Sequence, residues 1–404
     1  MRGYFPRAIE DAVRRAASSF PALVVTGPRQ SGKTWLLRHL FDGSHSYVSL
    51  DDPDLELFAS SDPRGFLEDH RPPVVLDEIQ RAPTLLRHVK MAVDAARHEP
   101  GRFILTGSQT FSLMAGVTES LAGRSAVLHL LPLSTAENPG RRAPPVRDRE
   151  TYARWVLTGS FPELHHRPGL DARTWYASYL QTYLERDVRT LANVGNLRDF
   201  NRLLHLLAGR TGGIVNLSWL ARDVGVAVNT IKSWLSVLEA SGVVHLCPGH
   251  HGSQGKRVAK NPRIHFLDPG TVVHLAGMRD VEQVLNGPMA GSLFETFVAG
   301  EILRLQARDG LKPTLFHWRD YGGHEVDLVL ESGGRVHGIE CKLASSVSDR
   351  DTRALELFLS TLPARLRGTG LLICTAPAAG RLRDVRVLPV TALSDASSMD
   401  DLLR

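Results

Sequence analysis

Cysteine is scarce in this 404-residue chain: Cys247, Cys341 and Cys374 are all there is. Three thiols cannot all pair, and none are spaced C-x-x-C. A disulfide framework is therefore not expected, and a reducing, cytoplasmic setting is. Long apolar runs are missing as well. Nothing approaches the roughly 18 residues that a membrane helix requires, so no membrane partner is expected. The first residues have no apolar signal-peptide core; Glu10 and Asp11 instead sit inside a basic amphipathic pattern. Repeats and long low-complexity tracts are also absent. Neither sign of charge dominates. The net charge of +5 and a pI near 9.2 give a mild basic bias that permits nucleic acid as a partner without requiring it. The length is enough for two or three domains with separate cores.

What the chain does have is a phosphate-binding loop. Gly27, Pro28, Arg29, Gln30, Ser31, Gly32, Lys33 and Thr34 read G-x-x-x-x-G-K-T. In such a loop backbone N–H groups wrap a β-phosphate, the lysine spans the β- and γ-phosphates, and the threonine hydroxyl faces Mg²⁺. The glycines let the chain curl against the phosphates without a Cβ in the way. The apolar run Ala22–Thr26 predicts a buried strand entering the loop, and residues 35–40 predict the helix leaving it. A nucleoside triphosphate is the expected ligand.

An opening helix is predicted over Phe5–Phe20, and a short strand over Ser46–Leu50. Next, Pro73–Glu78 reads as an apolar strand ending in two carboxylates. Asp77 is positioned to hold Mg²⁺ with Thr34, and Glu78 to polarise the attacking water. A third strand, Arg102–Thr106, leads to Ser108 and Gln109, either of which could sense the γ-phosphate. Arg124 is the first candidate for an arginine offered to a neighbouring copy's phosphate and Arg186 the second, which would require a homo-oligomer.

The segments GPRQSGKT, VVLDEIQ, LTGSQ, SLAGR, TGSFPEL (158–164) and TYLERDV (182–188) occur in this order. Together they resemble a prokaryotic family of AAA-type (archaeal-type) P-loop ATPases whose C-terminal domain of unknown function is nuclease-like. The resemblance implies an α/β ATPase core in which the acidic strand is not adjacent to the phosphate-loop strand, and ATP as the nucleotide.

From residue 201 the periodicity becomes helical. Two short helices around Gly225 and the strand Val243–Leu246 predict a winged helix-turn-helix. Asn229, Thr230, Lys232 and Ser233 would face outward for DNA, and residues 250–260 would form a basic wing with His250 and His251 on its surface. In the tail, Asp327, Glu340 and Lys342 read D-x₁₂-E-x-K across a hairpin, resembling the PD-(D/E)xK nuclease fold. Strand alternation puts Glu340 and Lys342 on one face. Asp327, Glu340 and Glu295, from an upstream helix, are expected to hold Mg²⁺, and Lys342 to activate water. Three domains are expected: an ATPase over 1–195, a winged helix over 196–285 and a nuclease-like domain over 286–404. Two functions follow: ATP turnover coupled to nucleic-acid binding or cleavage, or a nucleotide-dependent switch whose tail binds without cutting.

Overall fold

The computed structural model describes residues 4–107, 120–140, 142–167, 169–183, 197–250 and 261–404. Packing groups the chain into two units. The first is Met1–Pro132 with Ala240–Gly242 and Ala307–Lys312; the second comprises Leu133–Glu239, Val243–Gln306 and Pro313–Arg404.

The first unit alternates strands and helices: α1 (Glu10–Ala17), β1 (Ala22–Thr26), α2 (Lys33–Phe41), β2 (Ser46–Ser49), α3 (Pro53–Ser61), α4 (Pro63–Asp69), β3 (Val74–Asp77), α5 (Leu85–Ala95), β4 (Phe103–Gly107) and β5 (Ser125–His129). All five strands are parallel, in the order β2-β3-β4-β1-β5. The strands read as near-continuous apolar runs because both faces of the sheet are covered. Alternation assigns the side chains to opposite faces. Val24, Leu76 and Phe103 pack with Phe66, Leu86 and Val89 from α4 and α5. On the opposite face Leu23, Val75 and Ile104 pack with Val13, Leu36 and Phe41 from α1 and α2. The opening helix is shorter than the predicted Phe5–Phe20. The Arg7 N–H donates to the Glu10 carboxylate at 2.9 Å and starts the helix late, while Pro21 biases Phe20 away from helical backbone.

The second unit begins with α6 (Arg149–Thr158), α7 (Pro162–His166) and α8 (Ala172–Tyr183). Next come α9 (Leu197–Ala208), α10 (Leu217–Val224), α11 (Val228–Ala240) and a two-stranded antiparallel hairpin, β6 (Val244–Cys247) with β7 (Arg263–Phe266). Helices α12 (Pro269–Leu275) and α13 (Val281–Asn286) follow. Asp268 caps α12: its Oδ2 accepts from Thr271 N at 2.7 Å and from the Tyr176 hydroxyl at 2.7 Å, and its Oδ1 accepts from Ser160 N at 2.7 Å. One buried carboxylate thus ties α8, the α6–α7 connection and α12 together.

The long helix α14 (Ala290–Arg308) leads to the tail sheet. Its strands are β8 (Phe316–Arg319), β9 (Glu325–Ser332), β10 (Arg335–Lys342), β11 (Arg367–Cys374), β12 (Gly380–Leu382) and β13 (Val385–Pro389), ordered β12-β13-β11-β10-β9-β8. The sheet is mixed: β8-β9-β10 is an antiparallel meander, and β11 and β13 run parallel to β10. Between β10 and β11, α15 (Arg353–Thr361) covers one face through Leu355, Phe358 and Leu359.

Candidate active site and tail carboxylate cluster

The phosphate loop leaves β1 at the C-terminal edge of the parallel sheet, where open α/β sheets bind ligands. Gly27 has φ 152°, and a Cβ there would lie 2.1 Å from the Leu130 carbonyl oxygen. Gln30 (φ 59°) and Gly32 (φ 96°) are left-handed, which turns successive N–H groups inward as an anion-binding nest. The Lys33 ammonium donates to the carbonyls of Gly27 (3.0 Å) and Pro28 (2.9 Å), so it lies along the loop. The Ser31 hydroxyl is buried and has no hydrogen-bond partner among the described residues.

Two residues from other parts of the sheet complete the geometry. Thr34, in the first turn of α2, donates its Oγ1 to Asp77 Oδ2 at 2.9 Å. The Tyr47 hydroxyl, from β2, donates to the same oxygen. Burial pushes the Asp77 carboxyl above its usual range, although Tyr47, Thr34 and Lys33 all favour its charged form. Glu78 is left-handed, with φ 56°, and its N–H donates to Asp77 Oδ1 at 3.1 Å. A non-glycine residue held there costs on the order of 1 kcal/mol. Its carboxylate accepts from the Gln80 amide. The curled loop, the orphaned Ser31 hydroxyl and the paired Thr34 and Asp77 oxygens fit a nucleotide phosphate with Mg²⁺.

Arg7, Tyr47 and Gln80 were missed in the sequence. Arg7 is buried, and its guanidinium donates to the carbonyls of Ser31 (2.6 Å) and Leu131 (2.7 Å), bracing the loop from below. No local pattern announces that role. Arg124 precedes β5, whose Ser125 pairs with Ala22 at the N-terminal edge, the opposite end of the strands from the loop. Its guanidinium forms a fork with the Asp94 carboxylate, with Nη2 to Oδ2 at 3.1 Å. Ser108, Gln109 and Arg186 lie outside the described residues, as do residues 251–260 of the expected wing. His250, expected on the wing surface, is instead buried. It packs against Phe316 and Phe358 and its Nε2 is 3.1 Å from the Glu331 carboxylate.

In the second unit the structure brings the expected tail residues together. Asp327 Oδ2 accepts from the Cys341 N–H at 2.9 Å, locking β9 to β10. Lys342 Nζ is 3.1 Å from Glu340 Oε1, as strand alternation requires. Into the same cluster comes Arg263 from β7. Its Nη1 donates to Glu295 Oε1 (2.8 Å) and Asp327 Oδ1 (3.4 Å), and its Nη2 to Glu325. Burial pushes the Glu295, Glu340 and Asp327 carboxyls up, and Asp327 raises the other two further by repulsion. Among the described residues no group of three or more His, Cys, Asp or Glu forms a metal cage. The carboxylates suit a cation, but a guanidinium stands among them; as folded, the cluster does not fit Mg²⁺.

The parallel order with β4 between phosphate-loop and acidic strands, and the Thr34–Asp77 pair, define the first unit as a P-loop ATPase core. Consistent with this, the family model "AAA domain" matches residues 19–138. Two models named only as domains of unknown function, DUF8612 and DUF4143, match residues 149–282 and 290–393. The chain is similar to the uncharacterized proteins Rv2008c of Mycobacterium tuberculosis and Mb2031c of Mycobacterium bovis. Each is 30% identical over 336 residues, 83% of this chain and 73% of the relative. The chain belongs to the family of these proteins, a P-loop ATPase family. Among solved structures it is similar to a Walker-type ATPase of Pyrococcus abyssi (14% identity, 67% of this chain and 96% of that one, TM-score 0.45). Another is the Thermotoga maritima RuvB Holliday junction branch migration motor (18%, 60% and 86%, TM-score 0.27). No helix among the described residues is long and apolar enough to cross a membrane.

Proposed function

We propose that this chain binds and hydrolyses ATP at the Gly27–Thr34 loop. The observation that carries the reading is the convergence of Thr34 Oγ1 and Asp77 Oδ2, 2.9 Å apart, from α2 and β3. Loop N–H groups cradle the phosphates, and Lys33 exchanges its loop carbonyls for phosphate oxygens. Thr34 and Asp77 are the residues that would hold Mg²⁺, which supplies positive charge against the phosphate oxygens. Glu78, oriented by Gln80, aligns the attacking water and accepts its proton. Arg124 is available to a neighbouring copy's nucleotide only if its Asp94 fork opens. The test is nucleotide binding and phosphate release by two variants. Lys33→Ala is expected to lose binding, and Glu78→Gln to bind as wild type while turnover falls about a hundredfold or more. Wild-type turnover by Glu78→Gln overturns the assignment.

We infer a nucleic-acid partner for the second unit. We infer that α9–α11 with the β6–β7 hairpin form a winged helix, supported by the helix order and by Asn229, Lys232 and Ser233 lying exposed on α11. The tail reads as a PD-(D/E)xK-type fold, supported by the β9–β10 placement of Asp327, Glu340 and Lys342 with Glu295 from α14. Because a guanidinium fills the carboxylate cluster, we favour a tail that binds nucleic acid without cutting it. Affinity for duplex DNA should fall steeply between low and high salt, and plasmid incubated with Mg²⁺ and ATP should stay intact. Cleavage lost in Lys342→Ala would restore the nuclease reading.

A further inference from the structure

Arg263 is almost completely buried, yet it carries a charge into a pocket lined by carboxylates from two other elements: Glu295 on α14, Glu325 and Asp327 on β9. A buried guanidinium that lost these partners would be costly, and so would the carboxylates without it. The oxygens are already committed. Asp327 uses Oδ1 on Arg263 and Oδ2 on the Cys341 N–H. Glu325 is shared with Arg319, 3.0 Å away.

The match is incomplete at two atoms. Glu340, only 8% exposed, gives Oε1 to Lys342, but its Oε2 is buried with no hydrogen-bond partner among the described residues. Nor has the Arg263 Nε a partner there. Glu340 repels both Asp327 and Glu295, so it belongs to the same electrostatic cluster. A guanidinium brings one charge and donors in a fixed plane. A divalent cation would bring two charges and take oxygens from several directions.

We propose that Arg263 is the resident cation of the tail's carboxylate cluster, standing where a divalent metal would otherwise bind, and that its removal turns the cluster into a Mg²⁺ or Mn²⁺ site. Docking of the β6–β7 hairpin and loading of a metal then exclude one another, because the hairpin delivers the competing charge. The inference needs nothing of the ATPase reading, and cleavage is not its readout.

Mn²⁺ binding to the full chain, followed by electron paramagnetic resonance, tests it in a Lys33→Ala background that suppresses the nucleotide site. Lys33→Ala protein is expected to show no Mn²⁺ binding that Asp327→Asn removes. Adding Arg263→Gln should create one Mn²⁺ site at least tenfold tighter than anything present before, lost again on adding Asp327→Asn. The same variant should gain thermal stability when Mn²⁺ is added. Asp327-dependent Mn²⁺ binding in protein that keeps Arg263 would overturn the proposal, since the arginine would be yielding to the metal. A folded Arg263→Gln protein that gains no Mn²⁺ site overturns it too. If Arg263→Gln folds only when refolded with Mn²⁺, the metal is replacing the guanidinium as proposed. Failure to fold even with Mn²⁺ would contradict that replacement.

Discussion

Tyr47 and Asp77 are joined by a hydrogen bond from the tyrosine hydroxyl to Oδ2, the same oxygen that Thr34 reaches at 2.9 Å. The bond crosses from β2 to β3 and holds the carboxylate at the strand end. It favours the charged form of Asp77, against the burial that pushes its carboxyl upward.

Tyr47→Phe removes that bond while keeping the ring against Arg38. The Asp77 carboxyl should rise further and hold Mg²⁺ less well. The half-saturating Mg²⁺ concentration for ATP turnover is expected to increase about three- to tenfold, with a stability loss of about 1 kcal/mol. A Mg²⁺ titration of phosphate release checks this.

Arg7→Met keeps most of the side chain's bulk but strips two buried hydrogen bonds from the Ser31 and Leu131 carbonyls. A cost of about 2–4 kcal/mol is expected from leaving those acceptors without their charged donor. With the loop less well braced, KM for ATP should rise more than kcat falls. Thermal unfolding and steady-state kinetics measure the two effects.

Asp268→Asn should destabilise the second unit by about 2–4 kcal/mol, because the amide cannot accept from all of Ser160, Thr271 and Tyr176 at once. Denaturant unfolding followed by tryptophan fluorescence reads this directly, since Trp155 and Trp175 lie in that unit. ATP binding should be unchanged.

Acid should destabilise the hairpin region through its histidines. Burial lowers His265 to about 3, and likewise His245 and His317 to about 4, from a usual value near 6.5. The unfolded chain therefore binds more protons in this window. Their contribution to stability is whole above about pH 6.5 and is lost as pH falls through the folded values. One histidine kept neutral this way accounts for about 2 kcal/mol between pH 7 and 5. His265→Gln should shrink the stability difference between those two pH values by about that amount.

The nucleotide site was largely legible in sequence because its signals are local. Eight consecutive residues specify the loop, and a single apolar strand carries Asp77 and Glu78 to the sheet edge. Arg7 and Tyr47 were not legible, since they act across 24 and 30 residues and neither has a spacing rule. Arg263 is farther still, 32 residues from Glu295 and 64 from Asp327. The D-x₁₂-E-x-K pattern gave the tail's carboxylates and lysine but carried no trace of the guanidinium among them. The expected boundary at residue 195 and the packing boundary at Pro132 differ for a similar reason. The motifs TGSFPEL and TYLERDV run on in order from the phosphate loop, whereas the Asp268 hydrogen bonds fasten the α6–α7 connection and α8 to α12.

The three-carboxylate grip on Arg263 also bears on what an acidic motif means in such a tail. With a side chain supplying the neutralising charge, Asp327 and Glu295 answer to folding. Removing either partner alone would strand a buried charge, so Arg263, Asp327 and Glu295 are bound to one another as a single folding unit. An acidic motif in such a tail therefore says nothing of metal until the side chain facing it from the neighbouring hairpin is known.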